Sequence, residues 1–413
     1  MNKTLILLIL ANLFSSVGRG MVLIGVSWYL VEVNKSGGPL GITMLFSTSI
    51  ALIIGPYIAT LIDRFSRKFI LIVENTIGFG FLLICSIWVL FVGLTMPLLT
   101  TLYVILTLLA QVHFPTQAAL VQETFKKEEY GKINSILEVQ MQITQVLAGA
   151  FAGVILLYFN LNVVLAITSI TFFSAVLLLL PIQYQFTSKI TSGIKNKWYR
   201  DFAEGFNFIL KDKKFLFFGI AVFTPFVALM VGNFLAPVFV NLDLNEPVTV
   251  FSTGEFLYAV GAGIAGISIM FILKKFNRFN LLFANLVSLA TSIYIMVLLL
   301  ESWAFVLTYF IMGWVVASTR LISQTIFMVV IPKHIIGRIM TTLDLFALIF
   351  RVLLLTILTL YIDIISASIG YMIIGSLLFI AGVIVFISRK HMKNLFKYQM
   401  EIDAEQTHIN KSS

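Results

Sequence analysis

Charge is what this sequence has least of. Asp, Glu, Lys and Arg make up 11% of its 413 residues, where a soluble domain carries roughly 25%. So few charges cannot cover the surface of a chain this long in water. With 59% apolar residues and a mean hydropathy of +1.01, the bilayer has to act as the solvent. Cysteine is nearly absent as well. Cys85 stands alone inside an apolar run, which excludes an internal disulfide and a multi-cysteine metal cluster. No nucleophile–base–oxyanion constellation and no phosphate-cradling Gly-Lys loop is present. Neither an enzyme nor an ATP-driven pump is therefore expected, and no cofactor or metal is called for.

What the sequence does have is long apolar runs. They are continuous over about 20 residues or more, the length of a membrane-crossing helix, and lack the alternation of barrel strands. The first, Thr4 to Val33, is too long for a signal-peptide core and lacks a small-residue cleavage site. Twelve such spans are expected, the last two at 339–363 and 368–388. The 28 Lys and Arg residues support that count: alternate loops hold all of them except Lys35, Arg19, Arg320 and Arg351. Both termini are then cytoplasmic. The net charge of +9 is explained by these short basic loops, so no nucleic-acid partner is expected. The expected domains are a six-helix bundle over 1–183, a cytoplasmic linker over 184–213, a second six-helix bundle over 214–388 and a polar, frayed tail over 389–413. Within the linker, Trp198, Phe202, Phe206 and Ile209 recur at helical spacing, as in an amphipathic helix lying on a membrane surface or on the protein.

The halves repeat. Asp63-Arg-Phe-Ser-Arg-Lys-Phe-Ile-Leu71 has its counterpart in Lys274-Lys-Phe-Asn-Arg-Phe-Asn-Leu-Leu282, and Gly131-Lys-Ile-Asn-Ser-Ile-Leu-Glu138 in Gly337-Arg-Ile-Met-Thr-Thr-Leu-Asp344. Glu138 and Asp344 thus hold equivalent positions. The fold class expected is an all-α membrane protein of twelve transmembrane helices in two pseudo-symmetric bundles, an architecture suited to alternating access.

Ala59-Thr-Leu-Ile-Asp63-Arg64-Phe-Ser66-Arg67-Lys68 resembles the signature loop of the major facilitator superfamily, Gly-x-x-x-Asp-Arg-x-Gly-Arg-Lys, with Ala59 and Ser66 in place of its glycines. Pro115-Thr-Gln-Ala-Ala-Leu, Glu204-Gly205-Phe206 and Pro332 with Gly337-Arg338 look like the branch that holds macrolide efflux proteins and the enterobactin exporter. The resemblance implies a major facilitator fold in a bacterial inner membrane, acting as a monomer among lipids. It implies a gating latch at Asp63, Arg64, Arg67 and Lys68. It also implies that spans one, four, seven and ten line a central cavity.

Ionisable and polar residues at membrane depth are the candidate site. Asn12, Ser16 and Arg19 form one stripe on span one. Gln111, His113 and Gln117 lie on span four, Asn233 on span seven, Arg320 and Gln324 on span ten and Arg351 on span eleven. Arg19, Arg320 and Arg351 need counter-charges. Either an anionic solute supplies them through forked hydrogen bonds, or Glu74, Glu138, Glu255 or Asp344 does. Glu138, Asp344 and Glu74 are candidate proton carriers, with His113 a further possibility. On span five, Ser135, Glu138, Gln142 and Gln145 share a face that reads as a cavity wall. The glycines of Gly261-Ala-Gly-Ile-Ala-Gly266 read as close helix packing. The expected function is secondary transport of a small molecule with a proton as coupling ion. Export of an anionic or polycarboxylate metabolite such as a siderophore comes first, efflux of macrolide-like drugs second and uptake of an anionic nutrient third. A membrane receptor or lipid-modifying enzyme is the alternative of another class.

Overall fold

The computed structural model describes residues 3–126, 129–184, 206, 210, 212–331 and 335–412. Among these the chain is helical almost throughout. The first six helices are α1 (Lys3–Glu32), α2 (Gly38–Arg64), α3 (Arg67–Val92), α4 (Met96–Thr124), α5 (Tyr130–Tyr158) and α6 (Leu161–Leu179). After the linker come α7 (Lys213–Val238), which ends in a π-helical turn at Phe239–Asp243, α8 (Val248–Ile272), α9 (Arg278–Leu299) and α10 (Ser302–Val330). The helical stretch Ile336–Ser412 is interrupted at Ser366, whose φ of 63° and ψ of 161° break it into α11 (336–365) and α12 (367–412). Eleven stretches among the described residues are long and apolar enough to cross a membrane, with Ile336–Tyr398 counted as one.

Local chemistry sets the element edges. Pro39 and Pro97 lie in the first turns of α2 and α4, where a missing N–H leaves no helical bond unmade. Ser66 caps α3 by accepting from the Phe69 N–H, and Asn277 caps α9 by accepting from the Phe279 N–H. Ser66 and Asn277 occupy the same place in the internal repeat, so the residue that replaces the family's second glycine serves as a helix cap. In a medium without water, hydroxyls bond back to their own helix, as Thr48 does to Met44 O and Thr76 to Ile72 O, each at 2.8 Å. Many large apolar side chains are exposed, Phe91, Ile364 and Ile267 among them, as expected of a lipid-facing surface.

Two compact units form. The first gathers α1–α6 with 234–259 and 358–366. In it α1 packs on α4, α5 and α6, α3 on α4 and α6, and α2 on α4. Glycines let the added segments approach closely: a Cβ on Gly149 would stand 2.8 Å from Phe256 N, and one on Gly41 2.3 Å from Thr359 Oγ1. Asp363 accepts hydrogen bonds from Ser36 Oγ (2.7 Å) and Gly37 N (3.0 Å).

The second unit gathers 212–233, 260–357 and 367–412, with α9 packed along α10. Its core holds Phe218 against Phe279 and Phe327. Buried Asn285 donates to Ser318 Oγ at 2.8 Å across the α9–α10 contact. Of the 261–266 glycines, Gly261 does meet a neighbour, since a Cβ there would lie 2.2 Å from Phe310 O. Gly263 and Gly266 face open space.

Two expectations meet the structure differently. The amphipathic linker helix falls outside the described residues except for Phe206 and Leu210. Residues 389–412 continue α12 as helix rather than fraying. That extension is held at His391, whose Nε2 lies 2.5 Å from Asp212 Oδ2. Burial alone would push the Asp212 carboxyl up. Hydrogen bonds from His391 and from the Phe215 and Lys214 N–H groups outweigh it, so the carboxyl sits below the ordinary aspartate range.

Candidate functional site

The first unit holds a cavity of about 510 Å³. The stripe read from the sequence lines it: Asn12, Ser16 and Arg19 from α1, facing Gln117 of α4 and Glu138 and Gln145 of α5. Arg19 is 5% exposed. Its neighbours Gly18 and Gly20 bring α1 against its partners: a Cβ on Gly18 would be 2.3 Å from Thr171 Oγ1, and one on Gly20 2.7 Å from Ala148 Cβ. The guanidinium is thereby set inside the bundle, with Phe172 of α6 6.0 Å from it.

Behind Arg19 stand Glu74 of α3 and His113 of α4, both buried. Arg19 Nη2 lies 3.5 Å from Glu74 Oε1, and His113 Nδ1 lies 2.8 Å from Glu74 Oε2. Glu74 is therefore the counter-charge that Arg19 required. Arg19 still has donors to spare. Its Nε and Nη1, together with Asn12 Nδ2 and His113 Nε2, have no hydrogen-bond partner among the described residues. A buried donor left unmade costs of order 1–3 kcal/mol, more when charged.

The second unit carries two adjoining cavities. One, of about 260 Å³, is lined by Arg320, Ser323 and Gln324 of α10, Asp344 of α11, and Phe223 and Phe226 of α7. The other, of about 240 Å³, is lined by Arg351 and Asp344 of α11 and Met230 of α7. Asp344 borders both. Each half thus places one acid, Glu138 or Asp344, on a cavity wall at the repeat-related position. The arginines do not follow the repeat.

Some sequence candidates lie elsewhere. Gln111 donates to Ala51 O of α2 at 2.8 Å and lines none of these cavities. His113 and Glu74 sit behind the wall rather than in it, and Asn233, half-buried in α7, lines none of these cavities. On α5 the wall runs through Asn134, Glu138, Met141 and Gln145, without Ser135 and Gln142. Asn134 was missed, although its spacing of four from Glu138 was there to be read. In the signature loop, Arg67 pairs with Glu123 of α4 at 3.3 Å. Lys68 donates to Leu180 O (2.6 Å) and Ile182 O (2.8 Å) at the end of α6, where a cation offsets the helix dipole. Arg64 is exposed, and the Asp63 side chain lies outside the described residues. Tyr184 donates to Glu123, and burial together with that carboxylate pushes its phenol up to about 12.

Comparison with known proteins converges on one family. The family model described as Major Facilitator Superfamily matches residues 8–345. No curated protein sequence matches at a significant level. Among solved structures, a bacterial homologue of the iron transporter ferroportin, in an inward-facing state, aligns with a TM-score of 0.71 at 13% identity, covering 93% of this chain and 98% of that one. A nucleoside transporter aligns at 0.68 and 14%, covering 96% and 100%. A D-xylose–proton symporter aligns at 0.66 and 12%, covering 93% and 96%. These likenesses concern the fold, and with the family match over most of its length they place the chain: it is a multi-pass membrane transporter of the Major Facilitator Superfamily.

Proposed function

We propose that this transporter moves a small carboxylate-bearing anion by alternating access, with protons as the coupling ion. One observation carries the reading: Arg19, almost wholly buried, lines a cavity of about 510 Å³, and its Nε and Nη1 have no hydrogen-bond partner among the described residues. Guanidinium edges match carboxylates in planar, forked geometry. Asn12 and Gln117 beside it supply neutral hydrogen bonds to the rest of the solute. In the second unit, Phe223 and Phe226 line a separate cavity with Arg320. A siderophore or a related carboxylate metabolite fits that description. The distribution of Lys and Arg supports an orientation with both termini in the cytoplasm.

The test is transport of radiolabelled benzoate, succinate and citrate by the purified full chain in liposomes. At least one is carried by the wild type, and Arg19→Gln abolishes that transport while the protein still inserts and elutes as a folded species. Undiminished transport by Arg19→Gln removes the basis of this reading.

A further inference from the structure

One face of α12 changes character along its length. Residues 367–388 make about 33 Å of helix, close to the hydrocarbon thickness of a bilayer. Within that length Phe379, Val383 and Phe386 are exposed about one turn apart, as a lipid-facing stripe. The next positions on the same side are Arg389, Lys390 and Lys393, all exposed. The Arg389 guanidinium lies 3.9 Å from the centre of the Phe386 ring, so the last aromatic of the stripe and the first cation meet. The opposite side of the extension is taken up by the protein. Met392 is fully buried, Phe396 has the Arg278 guanidinium of α9 4.7 Å from its ring centre, and His391 meets Asp212. The end of α8, joined to Arg278 by a short loop, repeats the arrangement. There Phe271 is exposed, Lys274 Nζ lies 5.6 Å from its ring centre, and Lys275 is exposed as well.

We propose that the Arg389, Lys390 and Lys393 face of α12 binds the headgroup of an anionic phospholipid, whose chains run along Phe386, Val383 and Phe379. A rise of 1.5 Å per residue puts Arg389 through Lys393 within about 6 Å of the hydrocarbon edge, inside a headgroup layer roughly 5–8 Å deep. Long basic side chains lay their stems on apolar surface and keep their charge at the interface. The Arg389–Phe386 and Lys274–Phe271 contacts have that form. Acids do not compete for these cations along the helix. Glu401, Asp403 and Glu405 come at least about 12 Å beyond Lys393, further than a Debye length of about 8 Å. A soluble acidic partner would satisfy the cations and leave Phe386 and Phe379 uncovered, whereas one lipid molecule covers both. Each Lys or Arg near an anionic lipid surface strengthens binding about fivefold, so these side chains together favour an anionic over a zwitterionic headgroup by well over tenfold.

The test is native mass spectrometry of the purified full chain in detergent, titrated with phosphatidylglycerol or with phosphatidylcholine of the same chains. The wild type is expected to bind its first phosphatidylglycerol at least about tenfold more tightly than its first phosphatidylcholine. Lys390→Gln with Lys393→Gln lowers the phosphatidylglycerol affinity at least about fivefold and leaves phosphatidylcholine unchanged. Lys126→Gln with Lys132→Gln removes the same charge from the first unit and leaves both affinities unchanged. Equal affinity of the wild type for the two lipids overturns the proposal and points to a soluble partner for this face. Undiminished phosphatidylglycerol binding by the α12 variant, or an equal loss in the two double variants, overturns it too, the latter because net charge alone then sets the preference.

Discussion

Arg19 shows what a single residue in this chain is asked to do. A charge at 5% exposure needs both a counter-ion and hydrogen-bond acceptors. Glu74 supplies the first and part of the second. Lysine in its place keeps the charge but loses the fork. Arg19→Lys is therefore expected to insert normally and to bind benzoate, succinate or citrate at least about tenfold more weakly, a loss of about 1.4 kcal/mol or more. Equal affinity in the lysine variant, read by calorimetry, contradicts the forked geometry. The sequence showed Arg19, Glu74 and His113 each as an unusual intramembrane residue. It did not show that they meet, because Glu74 is 55 residues from Arg19 and 39 from His113, and only the packing of α1, α3 and α4 joins them.

Asp212 is a milder case. Its folded-state value is lowered, so the stability it contributes is present above the ordinary aspartate range and is lost as pH falls through the lowered value. Both partners are about one-third exposed, so Asp212→Asn destabilises by less than about 1 kcal/mol. Thermal unfolding in detergent is expected to show that small deficit at pH 7 and to show it shrink as the pH falls below the ordinary aspartate range. A deficit that grows on acidification contradicts the assignment.

At the scale of elements, the helix edges were legible and the helix contacts were not. Ser66, Asn160 and Asn277 are cap residues ahead of apolar runs, and each accepts from the first turn of its helix. Glycines were ambiguous, because sequence does not say which ones face a neighbour. Gly149 does, with Phe256 backbone in the way of any side chain, whereas Gly80 of α3 has open space around it. Gly149→Ala is expected to destabilise by about 1–3 kcal/mol through overpacking. Gly80→Ala is expected to be neutral, or to stabilise by up to about 1 kcal/mol through helix propensity. Melting temperatures of the two variants in detergent check the contrast, and a reversed order contradicts the packing described. The signature loop shows a similar limit. Its charges were legible as a motif, but Arg67 and Lys68 are used within their own unit, on Glu123 and on the end of α6.

For the whole molecule, the scarcity of charge and the alternation of basic loops already carried the fold class. They follow from the bilayer as solvent, which constrains every helix in the same way. Glu138 and Asp344, equivalent in the repeat, each line a cavity in their own half. What could not be read was which acid pairs with which arginine: Arg19 is held by Glu74, with His113 on that carboxylate's other oxygen. The most direct measurement uses liposomes containing the full chain, with benzoate, succinate and citrate outside and an imposed pH gradient. The imposed gradient drives at least one of these anions to accumulate inside, and Arg19→Gln abolishes that accumulation. Accumulation that ignores the gradient, or that Arg19→Gln leaves undiminished, contradicts the account.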